Sequence, residues 1–311
     1  MTTTLVRDVL TAIGATPLVE LRKIVPEGFA RVAVKLESAN PTGSMKDRMA
    51  LAMIESAEAD GRLSPGGGVI ELTGGSTGTS LALVCAVKGH PLSIVTADAV
   101  SLEKRNHMKA LGAALTVLPS DRGRFTDDLF QTMLKTTERM VEERGAFWTN
   151  QFENADQAAG YHPLGEEIWR QTGGRVDAFV QVVGTSGSIR GISTVLRAHR
   201  HDVQVIGVEP ASSAVLSGGP SGAHTIEGIG IGRVPPLWDP RLADEIQTVT
   251  TEEAEYMARK LAREEGIFAG TSTGANVVAA LRVAERLGPD RDVITLVVDS
   301  GLKYLSTDLY K

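Results

Sequence analysis

The 311-residue chain holds a single cysteine, Cys85. An intramolecular disulfide and a multi-thiolate zinc site are both excluded, and a reducing compartment fits. No apolar run approaches the roughly 18–20 residues that a membrane span needs, so a membrane protein is not expected. Positive charge is not in excess either: 32 basic residues stand against 38 acidic ones, a formal net charge of −6. A protein that reads a phosphate backbone carries a basic footprint, so nucleic acid is not an expected partner. Met1 to Asp8 lacks the charged-then-apolar pattern of a secretory signal, and a cytoplasmic location is expected. The histidines show no metal-ligand spacing, and no metal site is expected. No solenoid-type repeat or low-complexity tail is visible.

What is present is an ordinary folded composition, 42% hydrophobic and 23% charged, which excludes bulk disorder. The length calls for two lobes or one large α/β unit. Strand and helix patterns alternate along the chain. Strands are expected at Val32 to Leu36, Gly68 to Leu72, Leu92 to Ala97, Ala114 to Leu118, Ala178 to Val183, Val203 to Val208 and Asp292 to Val298. The last is apolar enough to be central and buried. Helices are expected at Met45 to Asp60 (Ser44 as cap), Gly78 to Lys88, Leu102 to Leu111, Asp127 to Arg144, Thr251 to Glu265 (Thr251 as cap) and Gly274 to Leu287. A further helix runs from the 184–188 loop to about Ala198. This βαβα order predicts parallel sheets with helices on their faces, with a division near Asn150. A cleft between two such lobes is a usual place for a small-molecule site. From Ala211 to Pro240, ten of thirty residues are Gly or Pro, too many breakers for a long regular element. Cys85 lies in an apolar helix and reads as a buried core thiol.

The 33 glycines gather in short clusters. Thr73-Gly74-Gly75-Ser76-Thr77-Gly78 joins a strand to a helix. It reads either as an anion cradle or as a tight capped turn, because helix N-termini carry unpaired donors and the positive dipole end. It is neither a Walker A loop nor a GxGxxG loop. Gly184-Thr185-Ser186-Gly187-Ser188 follows an apolar strand. Its three hydroxyls exceed what one cap requires, which favours a phosphate over a plain turn. Asn40-Pro41-Thr42-Gly43-Ser44-Met45-Lys46-Asp47-Arg48 places Lys46 in the first turn of a helix. A solvated surface lysine is one reading. The other is a Schiff-base lysine, whose charge is disfavoured by the helix end and by burial.

These motifs, taken together, resemble the cysteine synthase and cystathionine β-synthase family of fold type II pyridoxal phosphate (PLP) enzymes. The resemblance runs from Ile13-Gly14-Ala15-Thr16-Pro17-Leu18-Val19 to Asp299-Ser300-Gly301-Leu302-Lys303-Tyr304-Leu305-Ser306-Thr307. It implies two open, twisted, parallel-type α/β lobes with the cofactor in the cleft between them. Residues 44–150 would form the smaller lobe, and 1–43 with 151–311 the larger. It implies that Lys46 carries the cofactor as a Schiff base. Gly184, Thr185, Ser186, Gly187 and Ser188 would bind its phosphate, Ser300 its pyridine nitrogen, and Ser76 its phenolic oxygen. Thr73, Gly74, Gly75, Ser76, Thr77 and Gln151 would grip the substrate carboxylate. Gly228, in Glu227-Gly228-Ile229-Gly230, would line the same pocket.

The chemistry implied is β-replacement: Lys46 removes the α-proton, the β-substituent leaves to give an aminoacrylate, and sulfide or a thiol adds. The product would be L-cysteine or an analogue, made from O-acetyl-L-serine or another O-activated serine. The family also implies a homodimer and, in some members, binding of serine acetyltransferase. Two departures concern the substrate. The family loop commonly reads Thr-Ser-Gly-Asn-Thr-Gly, so Gly74 lacks a hydroxyl and Ser76 stands for an asparagine with longer reach and two donors. A β-eliminating lyase of the dehydratase type shares the first half-reaction. A non-catalytic PLP-binding or partner-binding protein would share the fold, and an ordinary nucleotide-binding α/β protein remains a rival.

Overall fold

The computed structural model describes Leu5, residues 7–121 and residues 126–311. Most of the Met1–Asp8 stretch considered above therefore lies outside the described residues. In chain order the elements are β1 (Leu18–Glu20), β2 (Arg31–Leu36), α1 (Lys46–Ala59), β3 (Val69–Leu72), α2 (Ser76–Lys88) and β4 (Leu92–Ala97). They continue with α3 (Leu102–Ala110), β5 (Ala114–Leu118), α4 (Asp127–Arg144), β6 (Phe147–Trp148), α5 (His162–Gln171) and β7 (Ala178–Val182). The last are α6 (Gly187–His199), β8 (Gln204–Pro210), β9 (Glu245–Val249), α7 (Thr251–Lys260), α8 (Thr271–Leu287) and β10 (Asp292–Val297).

Two sheets result. One has six strands in the order β1-β2-β10-β7-β8-β9, the other four in the order β5-β4-β3-β6. All pairings are parallel except β1 with β2. This is the α/β class, with two parallel-dominated sheets, that the alternation predicted. β10 is fully buried along its length and central, as its uninterrupted apolar run requires. One continuous apolar core runs through both sheets, from Val34 and Val297 to Ile94 and Met108. A second cluster fills the space between the four-stranded sheet and α4. Cys85 is 1% exposed within the larger core. Burial pushes its thiol up to about 12, so it stays protonated and inert.

Several helix ends differ from the sequence expectation. Ser44 does not cap α1: Met45 holds that position without a side-chain bond, and the Ser44 hydroxyl accepts from Lys46 N at 3.2 Å. Thr250, not Thr251, caps α7, through a reciprocal box with Glu253. The same helix stops being α-helical at Lys260, and Leu261–Glu265 widens into a π-turn before Gly266. Helices α2 and α8 begin two to three residues earlier than expected, at Ser76 and Thr271, so the hydroxyl-rich segments form their first turns.

The fold brings strand ends together. Leu72, Val182 and Val297 close their strands, and each is followed within three residues by Thr73, Gly184 or Asp299. Loops at the carboxyl ends of parallel strands are where α/β sheets place ligand sites.

Candidate active site

Lys46 opens α1, and its loop is locked to the end of β10. Ser44 and Asp299 form an antiparallel bridge. Met45 N donates to Val298 O at 2.9 Å, and Ser300 N donates to Gly43 O at 2.9 Å. The Lys46 side chain keeps part of its surface accessible. Desolvation by the surrounding protein nevertheless takes its pKa down to about 8, and the nearby Asp299 carboxylate limits the fall. A substantial fraction of this amine is neutral near pH 8, which is what a nucleophile or a base requires. Ser300 follows directly on Asp299; its hydroxyl accepts from Leu302 N at 3.3 Å and keeps its own proton available.

Across from Lys46 lies the loop that ends β3. Thr73 Oγ1 accepts from Gly75 N at 3.1 Å, which shapes the turn. Thr77 Oγ1 donates to Gln151 Oε1 at 2.7 Å, and Gln151 Nε2 donates to Leu72 O at 3.0 Å. Thr77 and Gln151, 74 residues apart, thus form one unit. Gly74 is exposed and contributes backbone only. Beneath this unit lies Glu71, 1% exposed, which accepts from Thr149 Oγ1 at 2.6 Å and from Gln151 N at 3.1 Å. Its burial raises the carboxyl to about 7 against those hydrogen bonds.

The third loop ends β7 and starts α6, a 13-residue helix. Ser186 adopts a left-handed conformation at the cap position, and its buried hydroxyl has no partner among the described residues. A buried, unsatisfied hydroxyl at a helix N-terminus is a donor set waiting for an anion. A side chain at Gly184 would come within 2.5 Å of Gly228 O, so only glycine lets this loop lie against the 227–230 segment. Ser188 Oγ receives Gln181 Nε2 at 3.1 Å, and Asn276 in turn donates to Gln181 at 3.1 Å. Gln157, fully buried, ties the loops together: it receives Thr185 Oγ1 and donates to Gln151 O at 2.5 Å.

Contacts link the predicted site residues in a chain: Ser300 pairs with the loop before Lys46, Ser76 reaches Asp299, Thr77 joins Gln151, Gln157 ties Gln151 to Thr185, and Gly184 lies against Gly228. Sequence reasoning missed Gln157, Glu71, Lys104, Asp299 and Tyr304. Lys104, on α3, is 3% exposed, ion-paired with Glu227 and 4.3 Å above the Tyr304 ring. By sequence alone, Glu103-Lys104-Arg105 reads as an ordinary charged helix face. Nothing in the local pattern marks Lys104 as buried, because Glu227 and Tyr304 come from distant parts of the chain.

Comparison with known proteins identifies the family and the fold. The model of the pyridoxal-phosphate dependent enzyme family matches residues 9–299. A cysteine synthase of Staphylococcus aureus (strain N315) is 40% identical over 307 residues, covering 98% of this chain and 97% of the relative. The crystal structure of O-acetyl serine sulfhydrylase isoform 3 from Entamoeba histolytica superposes with a TM-score of 0.92 at 37% identity, over 100% of this chain and 93% of that one. That of O-ureido-L-serine synthase gives 0.92 at 36% identity, over 99% and 96%. The chain belongs to the pyridoxal-phosphate dependent enzyme family. Within that family it is cysteine synthase-like, with the fold type II architecture.

Proposed function

We propose that this enzyme catalyses β-replacement on an O-activated L-serine, with sulfide as nucleophile and L-cysteine as product. The observation that carries the reading is Lys46, which opens α1 on a loop bridged to Asp299 and Ser300 and whose charge burial disfavours. Bound PLP supplies an electron sink that acidifies the Cα–H of an attached amino acid. In this reading Lys46 anchors the cofactor and, once released, takes the α-proton as a general base.

The other roles follow from chemistry at the loops. Gly184 to Ser188 fit a phosphate, because Ser186 offers an unpaired hydroxyl and α6 offers its N-terminal donors. Thr73, Gly75, Ser76 and Thr77, with Gln151, present hydroxyl, amide and α2 N-terminal groups suited to a carboxylate. A Cβ at Gly74 would meet Val100 Cγ2 at 4.0 Å, an ordinary contact. Ser300, whose hydroxyl proton is free to donate, would hold the cofactor's ring nitrogen; a neutral partner would stabilise less ring charge than a carboxylate and so favour elimination over transamination. Residues 44–150 act as the smaller lobe, and 1–43 with 151–311 as the larger. The reading includes a cytoplasmic homodimer, checked by light scattering, and a serine acetyltransferase tail as a cleft ligand, checked by titration with the corresponding peptide.

The deciding experiment is spectroscopic. The purified protein is expected to show the visible absorption of bound PLP. The band should shift on adding O-acetyl-L-serine and return on adding sulfide, with cysteine released. Pyruvate released without sulfide would replace this reading by β-elimination. A cofactor band indifferent to O-acetyl-L-serine would exclude that donor and direct attention to other β-substituted amino acids.

A further inference from the structure

Asp299 has no part in the reaction as derived above, yet it lies at its centre. It is 3% exposed, and no arginine pairs with it among the described residues. Its Oδ2 accepts two hydroxyls, Tyr304 OH at 2.8 Å and Ser76 Oγ at 3.1 Å. Its Oδ1 is buried with no partner. The space for this carboxyl exists because residue 270 is glycine: a Cβ there would lie 2.6 Å from Oδ1. The Ser76 contact spans 223 residues and joins the loop after β3 to the end of β10, across the two sheets.

We propose that Asp299 is a positioning residue of this reaction centre, holding Ser76 of the facing loop and standing as the counter-charge to Lys46. The inference rests on the role proposed for Lys46. The hydrogen-bond pattern selects the ionised form. Both hydroxyl donors converge on Oδ2, and a proton on Oδ1 would find no acceptor among the described residues. The surrounding charges agree: Lys46 from α1, Lys104 from α3 and Lys303 from the segment after β10 face Asp299, against Glu227 and the phenols of Tyr304 and Tyr310. Lys303 Nζ is itself buried without a hydrogen-bond partner. Burial is the largest influence and holds the Asp299 carboxyl above its ordinary range, with Lys104, Lys303 and the Tyr304 hydroxyl opposing part of that rise. The backbone bridge between Ser44 and Asp299 keeps the carboxylate in a set position relative to Lys46.

The functional consequence concerns where a proton rests. When Lys46 holds a proton, it is a partly desolvated cation. A fixed anion beside it raises its proton affinity, offsetting part of the burial effect. Asp299 therefore sets the pH range over which Lys46 changes protonation, while its Oδ2 keeps the Ser76 hydroxyl from rotating freely.

The test is a spectrophotometric pH titration of the PLP-loaded enzyme. Asp299→Asn keeps the shape and removes the charge. The midpoint of the visible transition is expected to fall by about one pH unit. Asp299→Glu should restore most of it. Ser76→Ala, which removes a hydrogen bond and no charge, should leave it near the wild-type value while raising KM. A purely structural aspartate would lower melting temperature in both Asp299 variants without moving the midpoint, and that result overturns the proposal. If Asp299→Asn does not fold, the reciprocal measurement decides. Lys46→Met should raise the titration midpoint of a buried carboxyl, followed by carbon-13 NMR of aspartate-labelled protein, and an unmoved carboxyl overturns the proposal. A protein that takes up no PLP refutes the role of Lys46 as anchor, and the NMR titration still reads the Lys46–Asp299 coupling.

Discussion

Lys46 and Arg48 are two residues apart in the first turn of α1, yet their surroundings are opposite. Arg48 is 5% exposed and its charge is fully answered. Its Nε donates to Glu37 at 2.7 Å, Nη1 to Glu167 at 2.9 Å, and Nη2 to both carboxylates at 2.9 Å. Lys35 adds a further ion pair to Glu167 at 2.6 Å. Among the described residues no such partner meets the Lys46 amine. Near it, Asp299 Oδ1 and Lys303 Nζ are also unpaired among the described residues. Buried polar groups are normally satisfied, so a cluster of exceptions marks a place kept open for something else. The saturated network fixes α1 against the six-stranded sheet, and the unsaturated one is where the proposed chemistry would take place.

This contrast can be broken from either side. Replacing Lys46 by alanine should lower turnover by roughly 10³-fold or more while leaving stability unchanged or slightly raised. Steady-state kinetics and urea unfolding on the same preparation check both halves. Replacing Arg48 by methionine should do the reverse in kind. It leaves Glu37 and Glu167 buried without their cation and should cost about 3–5 kcal/mol of stability. A destabilisation below about 1 kcal/mol in urea would show that the network is not needed to hold α1.

Glu71 sharpens the comparison through pH. Its pKa in the folded protein, about 7, lies above its ordinary value of 4.5, because desolvation disfavours the charged form. The folded state therefore binds the proton more tightly than the unfolded state does. Glu71 contributes stability that is fully present below about pH 4.5 and is lost as pH rises through 7. The amplitude is on the order of 3 kcal/mol. Glu71→Gln should flatten stability between pH 4.5 and 7, read as the slope of unfolding free energy against pH. The smallest effect is expected at Ser186. Ser186→Ala removes an unsatisfied hydroxyl, so the cofactor-free chain should melt at the same temperature or slightly higher. PLP affinity should drop about 3- to 10-fold, measured by equilibrium dialysis.

Much of the architecture was legible because it is local. The boundaries of α4, β4 and β5 match the residue pattern, since amphipathic period and flanking glycines decide them. Four elements were not foreseen: β1, β6, β9 and α5. β6 is two residues long and β1 three; both exist through pairing with a longer neighbour, Val69 and Ile70 for β6 and Ala33 to Lys35 for β1. In α5 the signal is masked by Pro163 at its start and by Gly165 inside it. That glycine is demanded by packing: a Cβ there would lie 2.7 Å from Val195 on α6. A helix breaker in the sequence is thus a close helix contact in the fold.

By itself, the sequence determined the hydroxyl-rich loops, the order of strands and helices, and the position of one lysine at a helix start. Each of these depends on neighbours within a few residues. Tertiary structure decided the rest. Desolvation of Lys46, the Ser76–Asp299 contact, the Thr77–Gln151 unit and the burial of Lys104 depend on which residues share a few ångströms of space. Hydrogen bonds and dielectric screening act over that distance, and in the chain these partners are tens to hundreds of residues apart.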